Sequence, residues 1–592
     1  MQPALAEIPF LANVAPEALA EAEAEAVWFS VPAGWPLFRQ GEAAECIYFV
    51  LSGALAAFRI GPNNEQILLG YIRSGEPVGE MGLIAREPHA GSVFAMRDSE
   101  IIRLTRRGFE ILIRADPSLM ERMARLMLSR AREPARLRPR AEPKVYALIG
   151  ASPTIDLRLR ARTLQAAIAR LGKTAAIVGD EGADMQSVWF DALEHKHDAV
   201  FLISPIADTT WFRACIRQAD RIWVLARADA RPSTPLLPDE DPSPARQFRF
   251  VDVVLLHHGM DRQAATTEEW RAACDAARLF HWRGLDDPDA ARLARVVAGR
   301  SIGLVLSGGG ARAYAHIGVV RALREAGVPF DVVGGTSMGG IIAACVAMGW
   351  DDEEIEVRIR KAFVESNPLG DYVLPVVSLV RGKRVEDRLR EHFGETLIED
   401  LQVPFFCVST NLAAGAARVH RTGLLRQALR ASIALPGILP PVVDGKAGLL
   451  VDGAVMKNFP VDVLKEMHRG QIIGVDVAQR QGIDPEDFID PPGFLGWIAA
   501  HGLQSPPPIA SLLMRAATLM VDPWEGRQGV DMLITPNMPN VDLRDWKKFD
   551  EAVVAGYEEC VAVLKRQPEF FAPPPPDPFE EVAHGVLEAV AK

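Results

Sequence analysis

Three short segments in the second half of the chain combine residue types that could carry out acyl transfer. The first, Gly335-Thr336-Ser337-Met338-Gly339, lies between two apolar runs, residues 330–333 and 341–348. The runs read as a buried strand and a helix, so Ser337 falls on the turn between them. Gly335 and Gly339 permit the strained dihedrals and close backbone approach that a nucleophile elbow needs. The hydroxyl would stand at a helix N-terminus, where the macrodipole favours developing negative charge. The second segment, Ser307-Gly308-Gly309-Gly310-Ala311-Arg312, follows a strand-like GLVL and precedes a helix ending near Gly327. Three glycines there can present backbone N–H groups to an anion, either a phosphate or the oxyanion of an acyl-transfer intermediate. Ala313 stands where a dinucleotide fingerprint has its last glycine, and a serine elbow follows directly, so the oxyanion reading is preferred. The third, residues 449–454, is an apolar strand ending in Asp452 and a small-residue turn. That aspartate could accept the serine proton or simply cap the turn.

The order GGGARA, GTSMG and DGA resembles that of patatin-like phospholipases, and SGGGARAYAHIGVVRALREAGVPFDVVGGTSMGGIIAA is similar to that family in spacing. SIALPGILPPV, VDGAVMKNFPVDVL and DMLITPNMPNVDLRDWKKFDEAVVAGYE resemble the branch that includes neuropathy target esterase and its bacterial relatives. What the resemblance implies is a Ser-Asp dyad without histidine. Ser337 attacks an ester carbonyl, Asp452 is the general base, and amides of Gly308, Gly309 and Gly310 stabilise the oxyanion. Arg312 matches the family's arginine after the triple glycine and orders that loop or a phosphate. The implied activity is a serine esterase acting on acyl esters of phospholipids or lysophospholipids, with no metal or other cofactor. Ser307 and Ala313 replace two glycines usual in the family, which bears on loop geometry. A Ser-Asp-His triad is the mechanistic rival, because His468 follows Asp452 in the required order. His468 ends the helical pattern VDVLKEMHRG, however, and reads as an exposed helix-end histidine, while His316 reads as packing. A sensor with a degenerate hydrolase domain is the other class of reading, and it would predict a broken dyad or glycine loop.

These segments need a fold to bring them together, and 592 residues suffice for about three to five domains. The expected fold class is multidomain: an N-terminal β-roll with flanking helices, a middle α/β domain and a C-terminal α/β patatin-like hydrolase domain. Residues 1–132 alternate apolar positions (Ile47, Phe49, Leu51) between glycines and an Asn63-Asn64 turn, with an amphipathic helix from about 107 to 130. Residues 133–143 are an Arg/Pro linker. From 144 to 300, the runs VYALIG, TAAIV, DAVFLI, RIWVLA and VDVVLL alternate with helical patterns, as in a parallel sheet flanked by helices. Gly172-Lys173-Thr174 is not a phosphate-binding loop, since Ala167 stands where the first glycine should be. It reads as a helix C-cap, residues 231–246 as a surface loop, and the domain as a scaffold. The hydrolase domain spans 301–565 with a catalytic core at 302–466, followed by a tail, 566–592. The apolar stretch 494–520, with Phe494, Trp497, Ile498, Leu512 and Leu513, fits an acyl tunnel, a lipid contact or a plain core helix pair.

The N-terminal segments FRQGEAAECIYFVLSGAL and Gly79-Glu80-Met81-Gly82-Leu83 resemble cyclic-nucleotide-binding domains, which precede the hydrolase in the same branch. In that family the glutamate binds the ribose 2′-hydroxyl and an arginine pairs with the phosphate. Glu80 matches, but His89 replaces the arginine and Ala90 the adjacent Ser/Thr. Without the guanidinium fork, weak or absent nucleotide binding is expected. Composition narrows the remaining classes: 49% apolar and 24% charged residues suit a globular chain, and a net charge of −12 argues against nucleic acid. So does the Arg/Pro linker where a catabolite-activator-type factor would place its helix-turn-helix. Six cysteines without a CxxC suit a reducing, cytoplasmic interior, and the acidic N-terminus is unlike a signal peptide. The uncharged window 332–350 contains five glycines and reads as strand, turn and helix rather than a membrane span, leaving peripheral membrane contact as the expectation.

Overall fold

A computed structural model describes residues 5–60, 66–132, 143–185, 187–232, 250–257, 267–284, 288–366, 368–374, 376–445, 448–467, 470–478, 526–543 and 545–571. The chain divides after Ala298 into two units. The first opens with eight strands: β1 (Ala26–Val31), β2 (Pro36–Phe38), β3 (Cys46–Ser52), β4 (Ala54–Ile60), β5 (Gln66–Arg73), β6 (Pro77–Val78), β7 (Ser92–Ala95) and β8 (Ser99–Thr105). They form two four-stranded antiparallel sheets, β1-β8-β3-β6 and β2-β7-β4-β5. Ile47 and Phe49, alternate residues of β3, are buried with Ile102, Leu104 and Phe109, so the period-two pattern marks the inner face. The single helix expected near 107–130 is two, Arg106–Ala115 and Ser118–Arg132. Pro117 disfavours a helical Asp116, which turns extended and accepts the Ser118 N–H on its carboxylate. The Asn63-Asn64 turn, most of the linker, residues 233–246 and 494–520, and the tail from 572 lie outside the described residues.

Six further strands make a parallel sheet: β9 (Val145–Gly150), β10 (Ala175–Val178), β11 (Ala199–Pro205), β12 (Arg221–Arg227), β13 (Phe250–Leu256) and β14 (Arg278–Trp282). Their order is β10-β11-β9-β12-β13-β14. Gly172, at a φ of 74°, ends the helix Leu157–Arg170 ahead of β10. The sequence reading did not nominate β14, because arginine opens it. Arg278 is tolerated there because its guanidinium meets the buried Asp252 of β13 at 2.7 Å, alongside Arg221 at 2.8 Å.

The second unit contains β15 (Ile302–Leu306), β16 (Val332–Thr336), β17 (Phe405–Asn411), β18 (Ala416–His420), β19 (Val442–Asp444), β20 (Gly448–Asp452), β21 (Gln471–Val475) and β22 (Met532–Ile534). The sheet runs β19-β20-β17-β16-β15-β21-β22, with β18 also on β17. From β17 through β22 the strands are parallel, whereas β18 and β20 run antiparallel to β17. The uncharged window 332–350 is β16 and the wholly buried helix Ser337–Ala347. Among the described residues no helix is long and apolar enough to cross a membrane.

Within the first unit, an ion-pair cluster joins the roll to the parallel sheet. Arg97, buried between β7 and β8, meets Glu194 at 2.6 Å and Asp220 at 3.6 Å, and Asp98 meets Arg217 at 2.9 Å. Removing one partner of a buried pair costs about 3–5 kcal/mol, because the remaining charge is stranded. Arg97→Ala is therefore expected to lower the urea midpoint of the full chain, and an unchanged unfolding curve would show that the joint contributes nothing.

Candidate active site

Ser337 is the hinge between β16 and the helix it begins, and its φ of 55° puts a non-glycine residue in the left-handed region. Its Oγ donates to Oδ2 of Asp452 at 2.8 Å, although 115 residues separate the two. Strand β17 is the template that brings them together. Its Val408 pairs with Thr336 of β16, and its next residue, Ser409, pairs with Asp452 of β20. Ser432 fixes the backbone at the same point: its hydroxyl donates to the Val408 carbonyl at 2.7 Å and accepts the Ser337 N–H at 3.0 Å. A Cβ on Gly339 would stand 2.3 Å from the Ser307 carbonyl and 2.6 Å from that of Leu306, so glycine is what lets β15 lie against the turn.

Asp452 is fully buried, and among the described residues no cation pairs with it. Its Oδ1 accepts the Ala454 N–H at 2.9 Å, and its own N–H donates to the Ala434 carbonyl at 2.9 Å. Burial pushes its pKa up to about 7, against the opposing pull of the hydrogen bonds from Ala454 and Ser337. A carboxyl with that pKa can both take and return a proton near neutrality.

The glycine loop packs directly on the serine: a Cβ on Gly308 would lie 3.1 Å from the Ser337 Cβ. Asn458 clamps this loop from both sides. Its carbonyl accepts the Gly308 N–H at 3.1 Å and its Nδ2 donates to the Gly308 carbonyl at 3.2 Å. Because the Gly308 N–H is engaged, those of Gly309 and Gly310 are the loop donors without a partner among the described residues. Thr336 ties the elbow to the same segment by donating to the Lys457 carbonyl at 2.8 Å. Arg312, expected to order the glycine loop or a phosphate, bonds a distant backbone segment. Its buried Nε donates to the Val541 carbonyl at 2.7 Å, and the next N–H, that of Ala311, donates to Leu543 at 2.9 Å. It anchors the loop from behind. Ser307 uses its extra hydroxyl to accept the Val477 N–H at 2.9 Å, and Ala313 is fully buried.

Neither described histidine near the loop reaches the dyad. His316 bonds the Ser307 carbonyl through Nε2 at 2.9 Å, and His420 bonds the Ser409 hydroxyl at 2.7 Å. Burial lowers both pKa values to about 4, so both rings are neutral at physiological pH. His468 lies outside the described residues. Sequence reasoning assigned no role to Ser432 or Asn458, although each falls in a stretch that carries the family resemblance.

In the N-terminal roll, Gly79 precedes a short helix, Glu80–Ala85, at a φ of 86°. Glu80 is buried, and Arg130 of the helix Ser118–Arg132 binds its carboxylate at 2.7 Å while reaching Glu76 at 3.1 Å. His89 stacks on Phe38 with ring centroids 3.7 Å apart, and burial holds its pKa below the usual histidine value. Met81 and Ala90 are exposed.

Comparison with known proteins matches three family models in chain order: cyclic nucleotide-binding domain at 28–116, neuropathy target esterase family P-loop like domain at 151–276 and patatin-like phospholipase at 304–465. An uncharacterized NTE family protein of Mycobacterium tuberculosis is 33% identical over 585 residues, covering 96% of this chain and 97% of that protein. Mouse patatin-like phospholipase domain-containing protein 6 is 28% identical over 612 residues, covering 91% of this chain and 45% of that protein. Among solved structures, the Thermus thermophilus catabolite activator protein is 27% identical, covering 28% of this chain and 71% of that one, with a TM-score of 0.20.

The burial of Asp452 has a consequence for stability. A carboxyl whose pKa rises from 3.8 unfolded to about 7 folded binds more protons in the native state, so it lowers stability as pH climbs from about 4 to 7. Asp452→Asn removes that loss, and it is expected to raise the melting temperature more at pH 8 than at pH 5. An equal shift at both would mean the carboxylate is not destabilised by burial. The roll yields a second expectation: with Glu80 held by Arg130 and a neutral His89 in place of a guanidinium, titration of the full chain with cyclic AMP or cyclic GMP gives no heat of binding at micromolar concentrations. Saturation in that range would contradict it.

Proposed function

The chain belongs to the neuropathy target esterase (NTE) family, a branch of the patatin-like hydrolases, and on that premise we propose that it is a serine esterase releasing fatty acid from phospholipids or lysophospholipids. The observation that carries this reading is the 2.8 Å bond between the strained Ser337 hydroxyl and a carboxyl poised near neutral pKa. Asp452 draws the proton from Ser337 Oγ as that oxygen attacks the ester carbonyl. The carbonyl oxygen becomes an oxyanion, for which the N–H groups of Gly309 and Gly310 are the available donors. Collapse expels the alcohol, which takes the proton held by Asp452, and leaves an acyl-serine. A water molecule then gives a proton to Asp452 and attacks the acyl carbon. Release of the acid returns that proton to Ser337.

In this scheme Asp452 does alone what a histidine does in a triad, and its burial supplies the required pKa. The lipid substrate class is supported by family membership. The Arg312 guanidinium contributes by holding the glycine loop rather than by touching the oxyanion.

The deciding assay is fatty-acid release from phosphatidylcholine and lysophosphatidylcholine. Ser337→Ala and Asp452→Asn are each expected to lose about a thousandfold or more in kcat, and His468→Ala to retain wild-type turnover. Since the carboxylate is the active form, kcat/KM rises with pH through about 7 and then levels off. A profile flat between pH 5 and 8, or an active Asp452→Asn, would remove Asp452 from the role of base.

A further inference from the structure

Four apolar side chains of the second unit face solvent rather than the core. Leu374 is 87% exposed, Val376 92%, Val377 65% and Tyr372 37%. They belong to a projection closed by a narrow antiparallel neck. Tyr372 pairs with Val380, the Val373 N–H donates to Leu379 at 3.0 Å, and the Arg381 N–H to Asp371 at 2.9 Å. The neck is mounted on the segment that supports the dyad. The N–H groups of Leu379 and Val380 donate to the carbonyls of Gly437 and Ile438 at 2.9 and 3.1 Å. Ala434, three residues before Gly437, accepts the Asp452 N–H, and Ser432 holds the Ser337 N–H.

Cations stand at the foot of this projection. Arg381, Lys383 and Arg384 are all exposed, and no acid lies among residues 381–384. The Asp371 carboxylate sets their spacing by accepting the N–H groups of Lys383 and Arg384 at 2.8 and 3.3 Å, where the helix Lys383–Phe393 begins. The acids that follow are engaged: Glu386 with Arg430 at 3.7 Å, Asp387 with Arg390 at 3.5 Å and Glu391 with Lys361 at 2.9 Å. In a chain of net charge −12, this is a local concentration of positive charge below an apolar tip. Aliphatic side chains gain by leaving water for acyl chains, and cations just behind them gain by meeting phosphates, so the two features together match one occupant.

We propose that Leu374, Val376 and Val377 insert into an anionic phospholipid bilayer while Arg381 and Lys383 contact its headgroups. This goes beyond the catalytic reading and does not depend on the dyad. It would bring the dyad-bearing unit to substrate held in a lipid surface.

Co-sedimentation of the full chain with vesicles tests it, using phosphatidylcholine alone and a 3:1 mixture with phosphatidylglycerol. Wild type is expected to prefer the anionic vesicles and to lose that preference at high salt. The double variant Leu374→Asp/Val376→Asp, altering only exposed side chains, should bind about tenfold or more weakly. Arg381→Ser/Lys383→Ser should bind anionic vesicles no better than neutral ones. A Leu374→Trp variant should shift its emission to the blue on adding anionic vesicles. Fatty-acid release from vesicles should fall with binding in these variants, with hydrolysis of a water-soluble short-chain ester unchanged. Equal vesicle binding by wild type and the double variant, or no emission shift, overturns the proposal. So does a lipid-free wild-type dimer that the double variant dissociates, which would make the patch a contact between copies. Failure of all ester assays would remove the catalytic reading while the vesicle measurements still decide this one.

Discussion

A carboxyl with no exposed surface and, among the described residues, no cation beside it must either be held by hydrogen-bond donors or take up a proton, and everything around Asp452 follows from that constraint. One oxygen is satisfied by a backbone N–H two residues on, and the other by the hydroxyl of Ser337. Two donors are fewer than a carboxylate can accept, so its charge stays costly and its pKa stays high. In the proposed mechanism the penalty is of use to the site. A carboxylate at its ordinary pKa would be too weak a base for a serine hydroxyl, and an arginine nearby would weaken it further.

Such an arrangement tolerates little movement, because a buried acid that loses its serine loses half its partners. The surrounding backbone is correspondingly cross-laced. Adjacent residues of β17 set the heights of the elbow and of Asp452, and Ser432 bridges β17 to the Ser337 amide. Thr336 and Gly308 are both tied to the short stretch that follows Asp452. The three segments therefore form one hydrogen-bonded body, and strain at Ser337 is sustained by contacts on every side.

How much of this was legible depended on whether each signal was local. Ser337 with Gly335 and Gly339 could be read from a turn between two apolar runs, and the roll and parallel sheet from periodicity and spacing. Asp452 needed its place in a known order of motifs, since a lone Asp-Gly most often caps a turn. Ser432 and Asn458 carried no local signal, because their partners are backbone groups more than twenty residues away. Arg312 was read as ordering the loop from its place after the triple glycine, but its partner, a carbonyl at position 541, lies too far along the chain to be read locally. Strand β14 was hidden by Arg278, whose charge is acceptable only because Asp252 lies on the neighbouring strand. The apolar side chains of Leu374, Val376 and Val377 would ordinarily indicate core, and the neck at Tyr372 and Val380 leaves them outside it.

The same reasoning bears on how the proposed mechanism would work without a histidine. In the proposed mechanism acylation needs Asp452 as carboxylate, departure of the alcohol needs it as acid, and deacylation needs the carboxylate again. A group poised near pH 7 alternates between those forms at least cost, whether it is an imidazole in water or a carboxyl removed from it. Imidazole reaches that value with little help from its surroundings, which is why triads work in open clefts. An aspartate with no like charge beside it reaches that value by burial, so the proposed chemistry calls for a dry site. An acyl chain settling over the dyad would dry it further and strengthen the base at the moment of attack. Dependence on burial would thus suit the proposed dyad to substrates that bring their own hydrocarbon.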